Sequence, residues 1–395
     1  MTDRIVVVGA GYAGAGTVAS VEQAVENANA DVELVWINET DYHLVLHEVH
    51  RVIRDPDVAS KVTVPCSELT PDWGEFREAR VTGVDTDERT VSLDAGDDVA
   101  YDYLLLGLGS ATAFYGIEGL REHSLTLKGL DDARAIHHEI TEAAADASPA
   151  DPAQVIVGGA GLSGIQAAGE IAEYRDAHDA ALDIHLVEGL DEVFPGNDPE
   201  VQGAIRKRLE AADINIECGE FISKVDPGTV YLGGGEDTDP EEMPYDVLIW
   251  TGGITGQEEL AEADIDKDER SRRVFADQDF QTSDERVFAI GDTALIDQGE
   301  DSVAPPTAQA AWQAAEVAGE NLLRASQDRP LVRWTYQDKG TLISIGEKAV
   351  AHDIEGLPFG TFGGFGAKFL KKAVATRWIA SITSLGRGLR AWNDM

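Results

Sequence analysis

A chain of 395 residues with 73 acidic against 31 basic side chains, a formal charge of -42, repels phosphate and so excludes nucleic acid as a partner. Its 43% hydrophobic content is enough for two or three domains with real cores and excludes a disordered acidic chain. The acid is spread along the whole chain, the surface expected of a protein working at high salt, where charges are screened.

The first predicted strand, Ile5-Val6-Val7-Val8, runs into Gly9-Ala10-Gly11-Tyr12-Ala13-Gly14. In such a strand–turn–helix the first glycine makes the turn, the second lets backbone approach a pyrophosphate, and the third lets helix pack on strand. The helix N-terminus then offers unpaired N–H groups and the positive end of its dipole to the phosphates. A strand over residues 32–37 ends at Asn38, where a ribose-binding acid is expected, with Glu39 as the alternative. Beyond it, His43, His47 and His50, with Glu48 among them, are spaced to line one helical face as metal ligands do. Residues 101–109 are a hydrophobic strand closing in Gly107 and Gly109, where backbone must pass close to a ligand or another strand.

The pattern then repeats. Val155-Ile156-Val157 precedes Gly159-Ala160-Gly161-Leu162-Ser163-Gly164, and the strand Ile184-His185-Leu186-Val187 ends at Glu188. Residues 245–253 mirror 101–109 and close in Gly252 and Gly253. A carboxylate at Glu188, with no arginine just after it, accepts from a free ribose 2′-hydroxyl and repels a 2′-phosphate, which favours NAD over NADP. Two intact fingerprints imply two dinucleotides held at once, FAD by residues 1–37 and NADH by residues 155–188. The two cysteines, Cys66 and Cys218, form no C-x-x-C, which excludes a dithiol shuttle and leaves both as small packing residues.

Further on, Phe288-Ala289-Ile290-Gly291-Asp292 is a strand ending in an acid that can accept from a ribityl hydroxyl. Pro305 and Pro306 open an alanine-rich helix through Thr307 and Ala308, whose N-terminus can stabilise charge developing on a flavin. Gln309 and Gln313 share a face of it, placed to flank a quinone. From residue 356 to 393 there is no acid. Lys368, Lys371, Lys372, Arg377, Arg387 and Arg390 stand there among Phe365, Phe369, Val374, Trp378, Ile379, Ile382, Leu385 and Leu389. A basic amphipathic helix with tryptophan suits an anionic membrane surface; docking on the protein's own acidic body, or a homodimer contact, is the alternative.

These motifs resemble the two-dinucleotide flavoproteins and specifically the type II NADH dehydrogenase (NADH:quinone oxidoreductase) family. The resemblance rests on Gly9–Gly14, Asp41-Tyr42-His43-Leu44, Gly159–Glu170, Leu186-Val187-Glu188, Tyr336-Gln337-Asp338-Lys339-Gly340 and, above all, Ala308-Gln309-Ala310-Ala311-Trp312-Gln313. It implies an α/β fold of two Rossmann-like domains, with FAD bound by 1–121 and 270–325, NADH by 122–269, and a membrane or interface segment over 326–395. It implies tightly bound FAD, hydride transfer from NADH, and passage of two electrons to a membrane quinone without proton pumping. The enzyme is expected at the cell membrane, peripheral, on the cytoplasmic side. Gln309, Gln313, Gln166 and Glu170 are the candidate catalytic residues. The cofactor candidates are the six fingerprint glycines, Asn38, Glu39, His43, Gly109, Asp292, Thr307, Ala308, Glu188 and Gly253. The histidine segment resembles a flavin-side loop, so no metal is expected.

This chain departs from the family pattern at three places. Asn38 replaces an acid, Gln166 replaces a glutamate near nicotinamide and quinone, and residues 45–50 replace an apolar, proline-containing stretch. Glutamine relays no proton, so that duty must lie elsewhere, with His47 or His50 as candidate donors to reduced quinone. The alternatives are a sulfide:quinone oxidoreductase, which needs cysteines near the flavin, and a membrane-bound flavin redox sensor without turnover.

Overall fold

The computed structural model describes residues 2–235, 238–358 and 360–394; the side chains of Leu385, Asn393 and Asp394 fall outside the described set. The duplication read in the sequence is a duplication of architecture. In the first unit Val287–Ala289, Tyr103–Leu106, Asp3–Val8, Val32–Asn38 and Glu75–Glu78 form a parallel sheet in that order. In the second, Asn215–Cys218, Leu182–Glu188, Ala153–Gly158 and Val247–Trp250 do the same. The fingerprint strands are continuous apolar runs because each is covered on both faces, as parallel sheets require. Each unit also carries a three-stranded antiparallel meander, Val81–Ala100 in the first and Ile222–Pro244 in the second. Ala111–Thr112 pairs with Ile254–Thr255 and ties the two units at their crossovers.

Register places each turn. Val8 lies beside Ile37 on one side and Leu106 on the other, and Gly158 lies beside Val187 and Trp250. The carboxyl ends of the three strands are therefore level, and strand order reverses at the fingerprint strand, which opens the crevice used by dinucleotide-binding sheets. Both fingerprint helices run seventeen residues, Tyr12–Ala28 and Leu162–His178, and both stop on a left-handed residue, Asn29 and Asp179.

Helix Ala308–Ser326 lies along Tyr12–Ala28 at close range because the contact is made of small residues. A Cβ added to Gly16 would sit 2.7 Å from Ala315 Cβ, and Ser20 Oγ donates to Glu316 O. The prolines do not open this helix. They precede the N-cap, Thr307, whose hydroxyl accepts from Ala310 N.

Residues after 330 are not an appendage. Trp334 is buried against Phe280, and the hairpin Thr341–Ile345/Lys348–His352 packs on the second fingerprint helix, where a Cβ on Gly169 would sit 2.6 Å from Gly346 N. Helix Phe365–Ile382 then returns to the first unit. Its spacing is helical as expected, but its apolar residues divide. Trp378, Ile379 and Ile382 are buried in the common core, while Phe365, Phe369 and Val374 are exposed. Arg387 and Leu389 belong to the following helix, Leu385–Asp394, and the Leu385 side chain, part of the expected stripe, lies outside the described residues.

Candidate functional site

The two fingerprints use their glycines in the same way. At Gly9 and Gly159, φ is +96° and +94°, and a Cβ would run into the neighbouring strand's backbone, 2.7 Å from Gly107 C and 2.6 Å from Gly252 Cα. At Gly14 and Gly164 a Cβ would drive into the carbonyls of Gly9 and Gly159. The fold itself demands those four. At Gly11 and Gly161 the backbone is extended, and a Cβ would meet no protein atom within 4 Å. Protein packing does not call for glycine there; close approach by a pyrophosphate at the helix N-terminus does. Both turns therefore fit the groups the sequence implies.

Each turn is held from the next strand by one side chain. Asn38 Oδ1 accepts from Ala10 N at 2.8 Å, and Glu188 Oε2 accepts from Ala160 N at 2.7 Å. Asn38 Nδ2 donates to Thr40, and Glu188 Oε1 accepts from Leu190 N. Both residues thus brace their turns, and the exposed Glu39 is the carboxylate available beside the first. Next to Glu188, the ring of Phe221 lies over Gly189 and is 62% exposed, with half-exposed Leu190 nearby. An apolar platform beside Glu188 offers a surface on which a purine can stack; a lone phenylalanine at a strand start gave no signal for it.

His43 is fully buried between the first turn and the C-terminal helix. Trp378 Nε1 can only donate, and it lies 2.9 Å from His43 Nε2, so that nitrogen carries no proton. His43 Nδ1–H therefore donates to Ala10 O, 2.7 Å away. Burial pushes its pKa down to about 4, so the ring stays neutral. His43 thus locks the turn rather than reaching into the crevice. The three histidines do not line one helical face: His43 is on strand Tyr42–Leu44, His47 on a 3₁₀ turn at Leu46–Glu48, and His50 precedes the short helix Arg51–Arg54. Backbone pairing of Tyr42–Leu44 with Thr63–Pro65 overrides the helical spacing.

At the far end of the first crevice, Asp292 accepts from Ser110 Oγ at 3.2 Å, and Ser110 accepts from Lys128 Nζ at 3.1 Å. Gly109 beside them has φ +71°, and its carbonyl accepts from Thr293. Burial lowers the Lys128 pKa, opposed by Asp292 and Asp132. Lys128 was missed in the sequence, where a basic residue ahead of a helix in a strongly acidic chain was the available signal. Thr307 and Ala308 cap and begin the helix facing this region. Gln309 and Gln313 share a face, but both are engaged. Gln309 Oε1 accepts from Tyr336 OH and Lys339 N, and Gln313 bonds both the N–H and the carbonyl of Gln337. They hold the strap 336–340 against the helix. In the second unit, Gly253 lies under the hydroxyl of Tyr115, an exposed residue at φ +53°.

Gln166 and Glu170 open onto a buried polar cluster between the units. Gln166 Nε2 donates to Ser344 Oγ at 3.3 Å. Glu170 Oε1 lies 3.9 Å from His50 Nε2, and its Oε2 lies 3.2 Å from Arg54 Nε without hydrogen-bonding geometry. Burial pushes the Glu170 carboxyl up to about 7 against the pull of Arg54, Lys371 and Arg51. Lys371 Nζ contacts Ser344 Oγ at 2.5 Å, His50 Nε2 at 3.3 Å and Glu48 Oε1 at 3.2 Å. Burial raises the Glu48 pKa, but Lys371, His47 and Arg51 outweigh it and hold the carboxylate ionised. His50 is kept neutral by burial and by Lys371.

The cysteines are apart in the fold. Cys66 is buried in the first unit, its thiol pushed up to about 12 by burial, and Cys218 is on the edge strand of the second sheet. Among the described residues, His138, Glu139 and Glu142 are the one group close enough to share a cation; they are exposed on helix Leu130–Asp146 and include none of His43, His47 and His50.

Comparison with known proteins agrees with this geometry. The family model for pyridine nucleotide-disulphide oxidoreductases matches residues 3–315. A type II NADH:quinone oxidoreductase of Staphylococcus aureus (strain NCTC 8325 / PS 47) is 28% identical over 400 aligned positions, 97% of this chain and 96% of that one. Among solved structures, NDH2 from Plasmodium falciparum in complex with NADH superposes with a TM-score of 0.83 at 16% identity, covering 100% of this chain and 98% of that one. The sulfide:quinone oxidoreductase of Aquifex aeolicus superposes at 0.79 with 18% identity, covering 98% and 92%. Those two likenesses speak for the fold.

Proposed function

Because this chain belongs to the pyridine nucleotide-disulphide oxidoreductase family, we propose that it is an FAD-dependent type II NADH dehydrogenase that reduces quinone. The observation that carries the reading is the pair of turns, each with a middle glycine that only a ligand requires, at the reversal point of its own sheet. FAD would supply the two-electron redox chemistry that links NADH to quinone. The chain supplies the rest. The uncapped backbone N–H groups at the starts of helices Tyr12–Ala28 and Leu162–His178 would hold pyrophosphates, Glu188 would select the unphosphorylated ribose, and Asp292 would accept from a ribityl hydroxyl with Ser110 and Lys128 behind it. The first unit and residues 270–325 hold FAD, the second holds NADH, and Gln309 and Gln313 position the strap that borders the acceptor.

Sulfide oxidation shares the architecture but needs reactive sulfur. A buried thiol held near 12 and a second one in the other unit do not supply it. The reading is tested by one anaerobic spectrum series: a bound yellow chromophore, bleached by NADH and restored by a short-chain quinone. A colourless protein, or a reduced one that quinone leaves reduced, refutes it.

Among the described residues no helix is long and apolar enough to cross a membrane. Attachment is therefore proposed at the surface of an anionic bilayer, on the cytoplasmic side where NADH is found. Phe365 is 85% exposed and Leu389 68%, and Phe369 packs on Trp392, all in an acid-free stretch that also carries Arg377 and Arg390. Deleting the segment would also remove Trp378 from the core, so the clean test is Phe365→Ser with Phe369→Ser and Leu389→Ser. Loss of sedimentation with anionic vesicles is expected; undiminished binding refutes the anchor, and a monomeric variant of a dimeric parent identifies a dimer contact instead.

A further inference from the structure

Quinone reduction by NADH needs a proton that hydride does not bring: NADH, one proton and quinone give NAD and quinol. Every turnover therefore draws one proton from solvent to the acceptor, and the residue that the family resemblance places for this duty is Gln166, which holds no transferable charge. The described structure contains a line of other proton-carrying groups, with steps of 3.9 and 3.6 Å between Glu170 and His50 and between Glu48 and His47.

The line begins at the surface, where Arg54 contacts Glu347 at 2.8 Å and Lys368 pairs with the same carboxylate. A cavity here is lined by Glu48, His50, Arg54, Glu170, Ser344 and Lys371, with further lysines at its mouth. Inside it, Glu170 lies 3.9 Å from His50 Nε2, a gap one water spans. His50 Nε2 lies 2.9 Å from Ser344 Oγ and 3.3 Å from Lys371 Nζ, Lys371 lies 3.2 Å from Glu48, and Glu48 Oε1 lies 3.6 Å from His47 Nε2. His47 Nδ1 is hydrogen-bonded to Tyr12 OH. Tyr12 directly follows Gly11, and its ring stacks at 4.5 Å on Trp378, which contacts Trp312 between the two glutamines of the acceptor-side helix at 5.0 Å. The inner end thus lies between the flavin turn and the helix that borders the acceptor.

Two features separate this line from an ordinary structural ion pair. Glu48, His50 and Glu170 are 4%, 2% and 1% exposed, burial that is costly and tolerated where it serves a function. Glu170 Oε2 and His47 Nε2 are also buried without a hydrogen-bond partner, an arrangement a purely structural network avoids.

We infer that Glu170, His50, Ser344, Lys371, Glu48 and His47, ending at Tyr12, form a relay that carries the solvent proton to the quinone side of the flavin, a role that rests on the quinone reading above. A protonated Glu170 gives its proton toward His50 Nε2; Lys371 gives one to Glu48 and is refilled from His50 through Ser344; Glu48 passes it to His47 Nε2 as His47 releases its Nδ1 proton to Tyr12, whose own phenolic proton leaves for the reduced quinone while Glu170 is refilled from the cavity. No electrons move through these residues. The groups facing Glu170 are His50 with Arg51 and Arg54 of the short helix it precedes, Lys371 from the C-terminal helix and Glu347 from the hairpin. With the carboxyl near 7, the relay is loaded below neutrality and empties above it.

The test is stopped-flow on the flavin-loaded protein, following bleaching by NADH and recovery with a short-chain quinone across about pH 5.5 to 8.5, for wild type and Glu170→Gln. Recovery is expected to slow about a hundredfold relative to bleaching, the general-acid range, and to lose its alkaline fall-off. Infrared difference spectra provide a readout apart from turnover: a buried protonated carboxyl that titrates near neutrality in wild type and is missing in the variant. His50→Gln breaks the line at its next member and serves if Glu170→Gln does not fold. Recovery that keeps the wild-type rate and pH profile in these variants overturns the relay, even where quinone reduction holds. A wild type that no quinone reoxidises overturns the relay together with the function.

Discussion

Gly161→Ala and Gly164→Ala, three residues apart in one turn, should fail in opposite ways. At Gly164 a Cβ would fall 2.7 Å from Thr251 Oγ1 and closer still to the Gly159 carbonyl, against ordinary contact from 3.4 Å. Helix and strand must part by more than about 0.7 Å, and overpacking of that kind costs about 2 kcal/mol. For a chain of 395 residues, with about 2.1 cal/mol/K of unfolding entropy per residue, that lowers Tm by roughly 2–3 °C. At Gly161 the backbone is extended at φ -76°, ψ -172° and a Cβ meets no protein atom within 4 Å, so stability should change by less than about 0.5 kcal/mol. The methyl group there stands where a pyrophosphate approaches. Losing one charge-assisted N–H bond to phosphate, about 2 kcal/mol, raises the KM for NADH about thirtyfold. Thermal melts without NADH and steady-state kinetics on both variants decide the matter. A Gly161→Ala protein with wild-type KM would refute the assignment of this turn to NADH, and a Gly164→Ala protein with wild-type Tm would refute the packing argument.

Glu170 ties stability to pH. Its carboxyl is raised from an ordinary value of 4.5 to about 7, so the native state holds a proton the unfolded chain releases. That contribution is complete below 4.5 and disappears as pH rises through 7, a change of about 3 kcal/mol. Denaturant melts should show Glu170→Gln gaining on wild type by that amount between these limits; parallel pH profiles would count against the burial argument. Trp378→Ala empties a site in contact with Tyr12, His43 and Trp312 and should cost about 3–5 kcal/mol, with flavin retention falling alongside Tm. Glu188→Gln keeps an acceptor for Ala160 N but removes the charge, so the preference for NADH over NADPH should drop about tenfold in kcat/KM. A charge of -42 repels itself, and raising salt from about 0.1 to 2 M should raise Tm by screening it; a flat response would remove the case for a high-salt surface.

Much of the molecule is legible along the chain because its main devices are local. A run of buried β-branched residues followed by three spaced glycines specifies strand, turn and helix within a dozen positions, and it occurs twice. The acids and amides that brace the turns, Asn38 and Glu188, end the very next strands, so spacing alone located them. What Asn38 does there was not legible: its amide oxygen is committed to Ala10 N, which is visible only once the strand lies beside the turn. The same holds for Gln309 and Gln313. Their shared face follows from helical period, but their partners, backbone groups of Gln337, Lys339 and Gly340 and the hydroxyl of Tyr336, lie 24 to 31 residues on, in the strap.

By its own pattern, then, the sequence determined the paired dinucleotide turns and the sheets that carry them, because short-range periodicity and glycine geometry dictate both. Only the tertiary structure decided that His43 is a neutral lock held by Trp378, that Trp378 faces inward rather than toward lipid, and that Glu48, His50, Glu170 and Lys371 meet in one buried cluster. Those residues come from segments separated by hundreds of positions, and their protonation is set by burial and by one another's charges, neither of which exists until the chain has closed on itself.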